Sequence, residues 1–111
     1  MTIMQSCDPN TQVVCTEEAR PGLTIYVIDG QSGFYLTDSV TVEIFDGSYS
    51  ETLQLQYEYY SGAPFSGAYE RPGTYQIITS KSGYTSDTTT VLVQKDECHV
   101  ITEERTINLY Q

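Results

Sequence analysis

The sequence has no tryptophan, one histidine and only five lysine or arginine residues, against fifteen acidic residues in a chain of 111. The formal net charge of −10 repels phosphate backbones and anionic lipid, because charges of one sign add over the whole surface. We therefore expect no nucleic-acid partner. Solubility accounts for the acidity, with a cation site or a cationic partner as the alternatives.

Long apolar runs are also missing. No segment approaches the roughly 18 to 20 apolar residues that cross a bilayer, and residues 1–6 are too short for the charged and apolar regions of a signal peptide. If these six residues are a cloning remnant or the stub of a removed leader, Cys7 lies close to the natural mature N-terminus.

Catalytic motifs are absent from the sequence as well. A serine or cysteine hydrolase needs a nucleophile, a base and an orienting group, and His99 is the only histidine, with no Gly-x-Ser-x-Gly elbow. We expect His99 to be structural and the protein not to be an enzyme. A hydrolase would require an activity that is lost when His99 is changed.

Acidic pairs are the remaining candidates for chemistry. Glu17-Glu18 and Glu103-Glu104 could approach Asp96-Glu97 and form a calcium site, but no EF-hand spacing exists. We expect solvated charges that protect strand edges from aggregation, and no metal or cofactor.

What is present is a period-two pattern of apolar residues broken by Gly, Pro and Asp turns, with ten tyrosines that favour strands. Asp46-Gly47 is a strong hairpin signal. The pattern predicts about seven strands in an antiparallel β-sandwich, with no helix, over residues 12–111, and a flexible tether over residues 1–11. The predicted strands cover residues 23–29, 34–37 with 40–45, 49–57, 73–80, 84–94, 98–102 and 106–110.

The ordered set of strand and turn residues resembles the carboxypeptidase regulatory-like, or prealbumin-like, β-sandwich domain of bacterial envelope proteins. The resemblance runs from Cys15 to Leu109 and rests on residues 22–29 with Ser32-Gly33, Val40-Thr41-Val42, Gly73-Thr74-Tyr75, Lys81-Ser82-Gly83-Tyr84 and the closing apolar strand. It implies a non-catalytic module that accompanies enzymes, transporters or surface proteins. Thr37-Asp38 and the long segment 58–72 depart from the family pattern.

One element of this pattern has a physical sense of its own. Gly83 permits a tight corner, and Tyr84 can cap an end of the core with its ring while its hydroxyl stays in water. We expect this tyrosine to be structural.

Three cysteines without a Cys-x-x-Cys motif or a histidine pair give poor support for zinc. We predict a disulfide between Cys15 and Cys98, and hence a periplasmic, cell-surface or secreted protein. Free buried thiols in a cytosolic protein are the alternative. Cys7 is then a candidate for the lipidated first residue of a bacterial lipoprotein; a free thiol, a cloning accident or a Cys7–Cys15 bridge are its other readings.

The aromatic residues of segment 58–72 and its border are the best candidates for recognition, because tyrosine offers rigid, amphipathic contact area. We predict ligand contacts by Tyr59, Tyr60, Phe65 and Tyr69, with an unknown protein or glycan as partner. Packing beneath the loop is the alternative.

The function predicted is a secreted or envelope-anchored accessory module for protein or glycan contacts, or else a calcium- or sugar-binding module using carboxylates near strand ends. The oligomeric state stays open, since an exposed edge strand can pair with a copy of itself.

Overall fold

A computed structural model describes residues 14–56 and 62–111, which form eight β-strands and no helix. The all-β prediction is confirmed. The predicted tether of residues 1–11, with Cys7, lies outside the described residues. The strands are β1 (Leu23–Asp29), β2 (Val40–Asp46), β3 (Tyr49–Thr52), β4 (Gln54–Leu55), β5 (Phe65–Gly67), β6 (Gly73–Lys81), β7 (Asp87–Val93) and β8 (Glu103–Leu109).

The strands form two four-stranded sheets in a β-sandwich. The first sheet has the order β4-β5-β1-β8 and the second the order β3-β2-β6-β7. All pairings are antiparallel except that of β1 with β8, which run parallel from Leu23 opposite Glu103 to Asp29 opposite Leu109. The prediction of an antiparallel sandwich therefore misses this one pair. β8, the last strand of the chain, forms an edge of the first sheet beside β1, the first strand.

The core lies between the sheets and follows the alternation read from the sequence. Leu23, Ile25 and Val27 of β1 are buried, and so are Tyr75 and Ile77 of β6. Each such side chain contributes about 1.5 to 3 kcal/mol when it leaves water. The inner faces of the other strands complete the core with Val42, Ile44, Phe65, Val91, Val93, Ile107 and Leu109.

The single strand predicted over residues 49–57 is wrong. The chain leaves the second sheet after Thr52 and enters the first sheet at Gln54, so that β3 and β4 belong to different sheets. Leu53 is the pivot: its side chain is buried in the core, and its N–H donates to the carbonyl of Val42 at 2.8 Å. Because Leu53 is buried between the two sheets, the alternation of buried and exposed side chains continues through it, although the backbone pairs with the second sheet before it and with the first sheet after it.

The turns agree with the sequence more closely. The hairpin between β2 and β3 closes through Gly47, whose φ of 60° suits glycine, with Asp46 opposite Tyr49. At the other end, Tyr84 packs against the core as predicted. Its hydroxyl is not simply solvated, because it donates to Oδ2 of Asp29 at 2.7 Å and so ties the corner after β6 to the end of β1.

Within the described part of the chain no helix is long and apolar enough to cross a membrane.

Candidate functional site

The predicted disulfide is confirmed. Cys15 and Cys98 are bonded across 83 positions of sequence, with their Cα atoms 5.2 Å apart. In the chain-entropy model, closing a loop of this length stabilises the fold by about 4.5 kcal/mol. The bond fastens the segment before β1 to the turn after β7. A structural disulfide indicates an oxidising, non-cytoplasmic environment.

His99 lies beside this disulfide, and only 7% of its surface is exposed. Its Nδ1 is 2.6 Å from Oε2 of Glu70, and its Nε2 is 2.9 Å from Oγ1 of Thr16. We call Thr16, Glu70 and His99 the His99 cluster. Both ring nitrogens therefore have a partner, as expected for a buried imidazole.

Glu70 connects three segments of the chain. Its Oε2 accepts from the N–H of Arg20 at 2.9 Å, and its Oε1 accepts from the N–H of Val100 at 3.1 Å. The N–H of Arg20, followed by the imidazole of His99, holds the pKa of the Glu70 carboxyl below its ordinary value of 4.5, because each hydrogen bond favours the charged form.

Asp96 shapes the turn on which Cys98 and His99 lie. Its Oδ1 accepts from the N–H groups of Cys98 and His99 at 2.8 and 3.0 Å, and these bonds lower the pKa of the Asp96 carboxyl. Because the turn uses these N–H groups locally, residues 98–102 do not form the predicted strand. Only the bridge between Lys95 and Val100 remains.

The members of the His99 cluster are bonded in the order hydroxyl, imidazole, carboxylate. This is the order of a nucleophile, a base and its orienting group, and Thr16 is exposed. The sequence points to His99 but not to its partners, because residues 16, 70 and 99 come from three connecting segments far apart in the chain and no local spacing links them. Two open depressions of about 330 and 440 Å³ flank the disulfide, and both are lined by Cys98 and His99.

The acidic pairs near the strand ends are engaged elsewhere. Glu18 pairs with Arg20 at 2.9 Å, and Glu103 pairs with Arg105 at 3.0 Å. In residues 14–56 and 62–111 no three metal-ligating side chains converge. The three acidic pairs considered from the sequence are therefore not gathered into one cluster in this part of the chain.

Of the four predicted ligand contacts, Tyr59 and Tyr60 lie outside the described residues. Tyr69 is 46% exposed. Phe65 is 3% exposed, and its ring is not available at the surface. It lies opposite Ile25 in the pairing of β5 with β1, and this register turns its side chain into the core.

The outer face of the first sheet carries an aromatic pair that the sequence analysis missed. The rings of Tyr26 and Tyr35 have their centroids 6.3 Å apart, and Tyr35 is 50% exposed. A Cβ atom on Gly62 would lie 3.1 Å from the Tyr35 ring, so this ring rests against Gly62. Tyr35 follows a turn and belongs to no strand, and a bridge to Ile28 positions it.

An open depression of about 380 Å³ lies beside β4 and β5 of the first sheet. It is lined by Glu51, Gln54, Leu55, Gln56, Ser66 and Tyr69. Gln54 lies directly opposite Ser66 in the pairing of β4 with β5, so their side chains share one face. Ser66 is only 4% exposed, and its hydroxyl has no hydrogen-bond partner among the described residues. A buried hydroxyl left unpaired costs about 1 to 3 kcal/mol.

No protein-family model matches the chain, and no curated protein has a similar sequence. The resemblance to carboxypeptidase regulatory-like domains therefore stays a prediction. The function is proposed below from the contacts of the described residues.

Proposed function

We propose that this protein is a non-catalytic accessory module, secreted or attached to the cell envelope, that acts through protein or glycan contacts. The observation that carries the proposal is the exposed aromatic surface of the first sheet. Tyr35 is half exposed against Gly62, and Tyr69 is similarly exposed beside β4 and β5. Tyr69 belongs to segment 58–72, the most irregular connection in the sequence, and Tyr35 lies against Gly62 of the same segment.

The disulfide and the core support this proposal because they hold the exposed aromatic residues in place. The Cys15–Cys98 disulfide and the filled core between the sheets hold the outer face in one arrangement. A pre-organised surface binds with a smaller loss of side-chain entropy than a mobile one. Tyrosine loses little rotamer freedom on binding and offers both a ring and a hydroxyl.

The disulfide also supports the proposed location in the periplasm, on the cell surface or outside the cell. Within that proposal Cys7 is the candidate for a lipid anchor. With a net charge of −10, the favoured ligands are neutral or cationic. The resemblance to envelope domains agrees with this location.

Binding to a glycan array and to an array of purified extracellular proteins would test the proposed function. We expect the Tyr35→Ala/Tyr69→Ala double variant to lose at least most of the signal that the wild-type protein gives. Tyr110→Ala is the matched control, because Tyr110 is 51% exposed, and its ring packs against Gly30 rather than against segment 58–72. A double variant that binds like the wild type, or a wild type that binds neither array, would contradict the proposal.

A second candidate function is acyl transfer by the His99 cluster, which the 2.9 Å contact between Thr16 and His99 favours. Nε2 of His99 would take the Thr16 proton as Oγ1 bonds to the acyl carbon of an ester. The departing alcohol would then receive that proton, and water would release the acid in a second step. We rank this candidate below binding, because holding three chain segments together already explains every contact of Glu70.

Hydrolysis of p-nitrophenyl acetate would decide between the two candidates. An acyl-transfer site predicts that Thr16→Val abolishes the activity, that Thr16→Ser keeps it, and that acetylated Thr16 is found by mass spectrometry. Equal rates for wild type and Thr16→Val would eliminate this candidate.

A further inference from the structure

We infer that the depression between β4, β5 and Tyr69 is a binding site for one neutral sugar residue, with the Ser66 hydroxyl as its buried hydrogen-bonding group. This inference rests on the proposed function and names the ligand class for one part of the same surface. Its starting point is Ser66, a residue of the lining that is 96% buried and whose hydroxyl has no partner among the described residues.

A polar ligand in the depression would give this hydroxyl the partner that it lacks in the free protein. Buried polar atoms in folded proteins nearly always have a partner, and an orphan inside a surface depression is satisfied when a ligand enters. The volume of about 380 Å³ lies within the range of small-molecule sites. The depression is therefore of the right size for a single ring with its substituents and too small for a folded partner.

The chemistry of the lining selects a sugar. The side-chain amide of Gln54 donates to the carbonyl of Thr52 at 3.3 Å and keeps a second N–H and its oxygen for a ligand. The amide of Gln56 adds donors and an acceptor, and together these groups match the vicinal hydroxyls of a pyranose. The exposed ring of Tyr69 supplies the flat apolar surface on which the C–H face of a sugar packs. Ser66 can both donate and accept, as each sugar hydroxyl can.

The charges in and around the depression exclude acidic sugars. Glu51 is the charged group of the lining, and its Oε1 is already bonded to the hydroxyl of Tyr49 and the N–H of Ala68. None of the described lining residues is cationic. A carboxylate or sulfate on the ligand would meet Glu51 without a counter-charge, so the site favours neutral hexoses and N-acetylhexosamines over uronic acids.

The architecture explains why the sequence does not reveal this site. Gln54 follows Leu53, where the chain changes sheets, and this crossing brings Glu51 of the second sheet to the rim of a depression on the first. Tyr69 reaches the same place from the turn after β5, next to Ala68, which has a φ of 54°. No sequence spacing places these residues together.

The test is a titration of the full chain with methyl glycosides of glucose, galactose, mannose and N-acetylglucosamine, followed by amide chemical shifts, with methyl glucuronide as the acidic counterpart. We expect shifts at residues 54, 66 and 69 with at least one neutral glycoside and none with the glucuronide. Ser66→Ala should weaken binding by roughly three- to tenfold, the loss of one hydrogen bond. Tyr69→Ala should weaken it at least as much.

Thermal unfolding separates binding from structure. Because the Ser66 hydroxyl has no partner in the free protein, Ser66→Ala should not lower the melting temperature. Thr79→Val is the matched control: Thr79 is fully buried in β6, its hydroxyl is also unpartnered among the described residues, and it does not line the depression. This variant should likewise keep its stability and should bind the sugar unchanged.

Two results would overturn the inference. If a glycoside binds but Ser66→Ala and Tyr69→Ala leave its affinity unchanged, the sugar lies elsewhere, and loss of binding in Tyr35→Ala would keep the proposed function. If no glycoside shifts any amide, the depression is not a sugar site, and the protein array alone then decides whether the proposed function stands.

Discussion

Nδ1 of His99 lies 2.6 Å from Oε2 of Glu70, although 29 positions separate the two residues in sequence. This contact joins the turn that carries the disulfide to the turn that follows β5. Glu70 also accepts from the N–H groups of Arg20 and Val100, so one carboxylate gathers the start of β1, the end of β5 and the approach to β8. Stability in acid should depend on this carboxylate.

The first prediction concerns pH. The folded pKa of Glu70 is below 4.5, so its stabilisation is complete above about pH 4.5 and is lost as pH falls through the folded value. Glu70→Gln should lower the melting temperature at neutral pH. Its melting temperature should also fall less than that of the wild type when the solution is acidified from pH 5. Glu17→Gln is the control, because Glu17 is an exposed carboxylate that lines the same depression as Glu70. Parallel curves for wild type and Glu70→Gln would contradict the assignment.

The second prediction concerns the disulfide. The Cys15→Ser/Cys98→Ser double variant should lose about 2 to 5 kcal/mol in its free energy of unfolding, because the unfolded chain regains the entropy of an 83-position loop. Denaturant unfolding measures this loss. Wild-type protein treated with a thiol reductant should match the double variant. Equal midpoints for oxidised and reduced protein would show that the bond adds nothing.

The third prediction concerns Tyr49. Its hydroxyl donates to Oε1 of Glu51 at 2.6 Å, and this bond, followed by burial, raises its pKa to about 12. A folded pKa above the ordinary value of 10 means that the contribution is present below pH 10 and lost as pH rises through 12. The pKa of Tyr84 is also raised, chiefly by its hydrogen bond to Asp29, so an ultraviolet titration of the phenolates should show more than one late tyrosine, of which the one near pH 12 is missing in Tyr49→Phe. In Glu51→Gln, Tyr49 should ionise at a lower pH than in the wild type. If Tyr49 of the wild type ionises at the same pH as the exposed tyrosines, its hydrogen bond to Glu51 is absent.

The fourth prediction concerns Gly22, which is buried where the chain enters β1. Its N–H donates to the carbonyls of Gly67 and Ala68, both at 3.0 Å, and an added Cβ would lie 2.8 Å from the Ala68 oxygen. Because backbone cannot move aside as a side chain tip can, Gly22→Ala should destabilise the fold by about 1 to 3 kcal/mol. Chemical denaturation measures the change. A variant as stable as the wild type would mean that the start of β1 can move away from the end of β5 without a loss in the free energy of unfolding.

Much of the fold was predictable because alternation and turn chemistry act locally. The inward set of Leu23, Ile25 and Val27 and the hairpin at Gly47 needed no information from distant residues. The parallel pairing of β1 with β8 depends on which strands meet after the whole chain has folded. The crossing at Leu53 escaped prediction because period two continues through it while the hydrogen-bond partners change.

The site was less predictable than the fold for a related reason. The disulfide followed from counting cysteines, but the partners of His99 come from connecting segments far apart in sequence. Tyr69 was found from composition, whereas Phe65, assigned to the same surface, faces the core because the register of β5 with β1 decides its direction. Ser66 gave no signal at all, since an unpaired hydroxyl is recognised only when its neighbours are known.

The covalent link from Cys15 to Cys98 also has a mechanical consequence. Tension applied to the chain from both sides of the domain passes from Cys15 directly to Cys98 and bypasses the 82 residues between them. Beyond Cys98 the pull can then draw out residues 99–111, about 45 Å of extended chain. β8 would be peeled from β1, while the seven other described strands stay within the loop that the disulfide closes. In reducing conditions the same pull would unravel the whole sandwich, so the oxidation state of one bond sets how far this module can stretch.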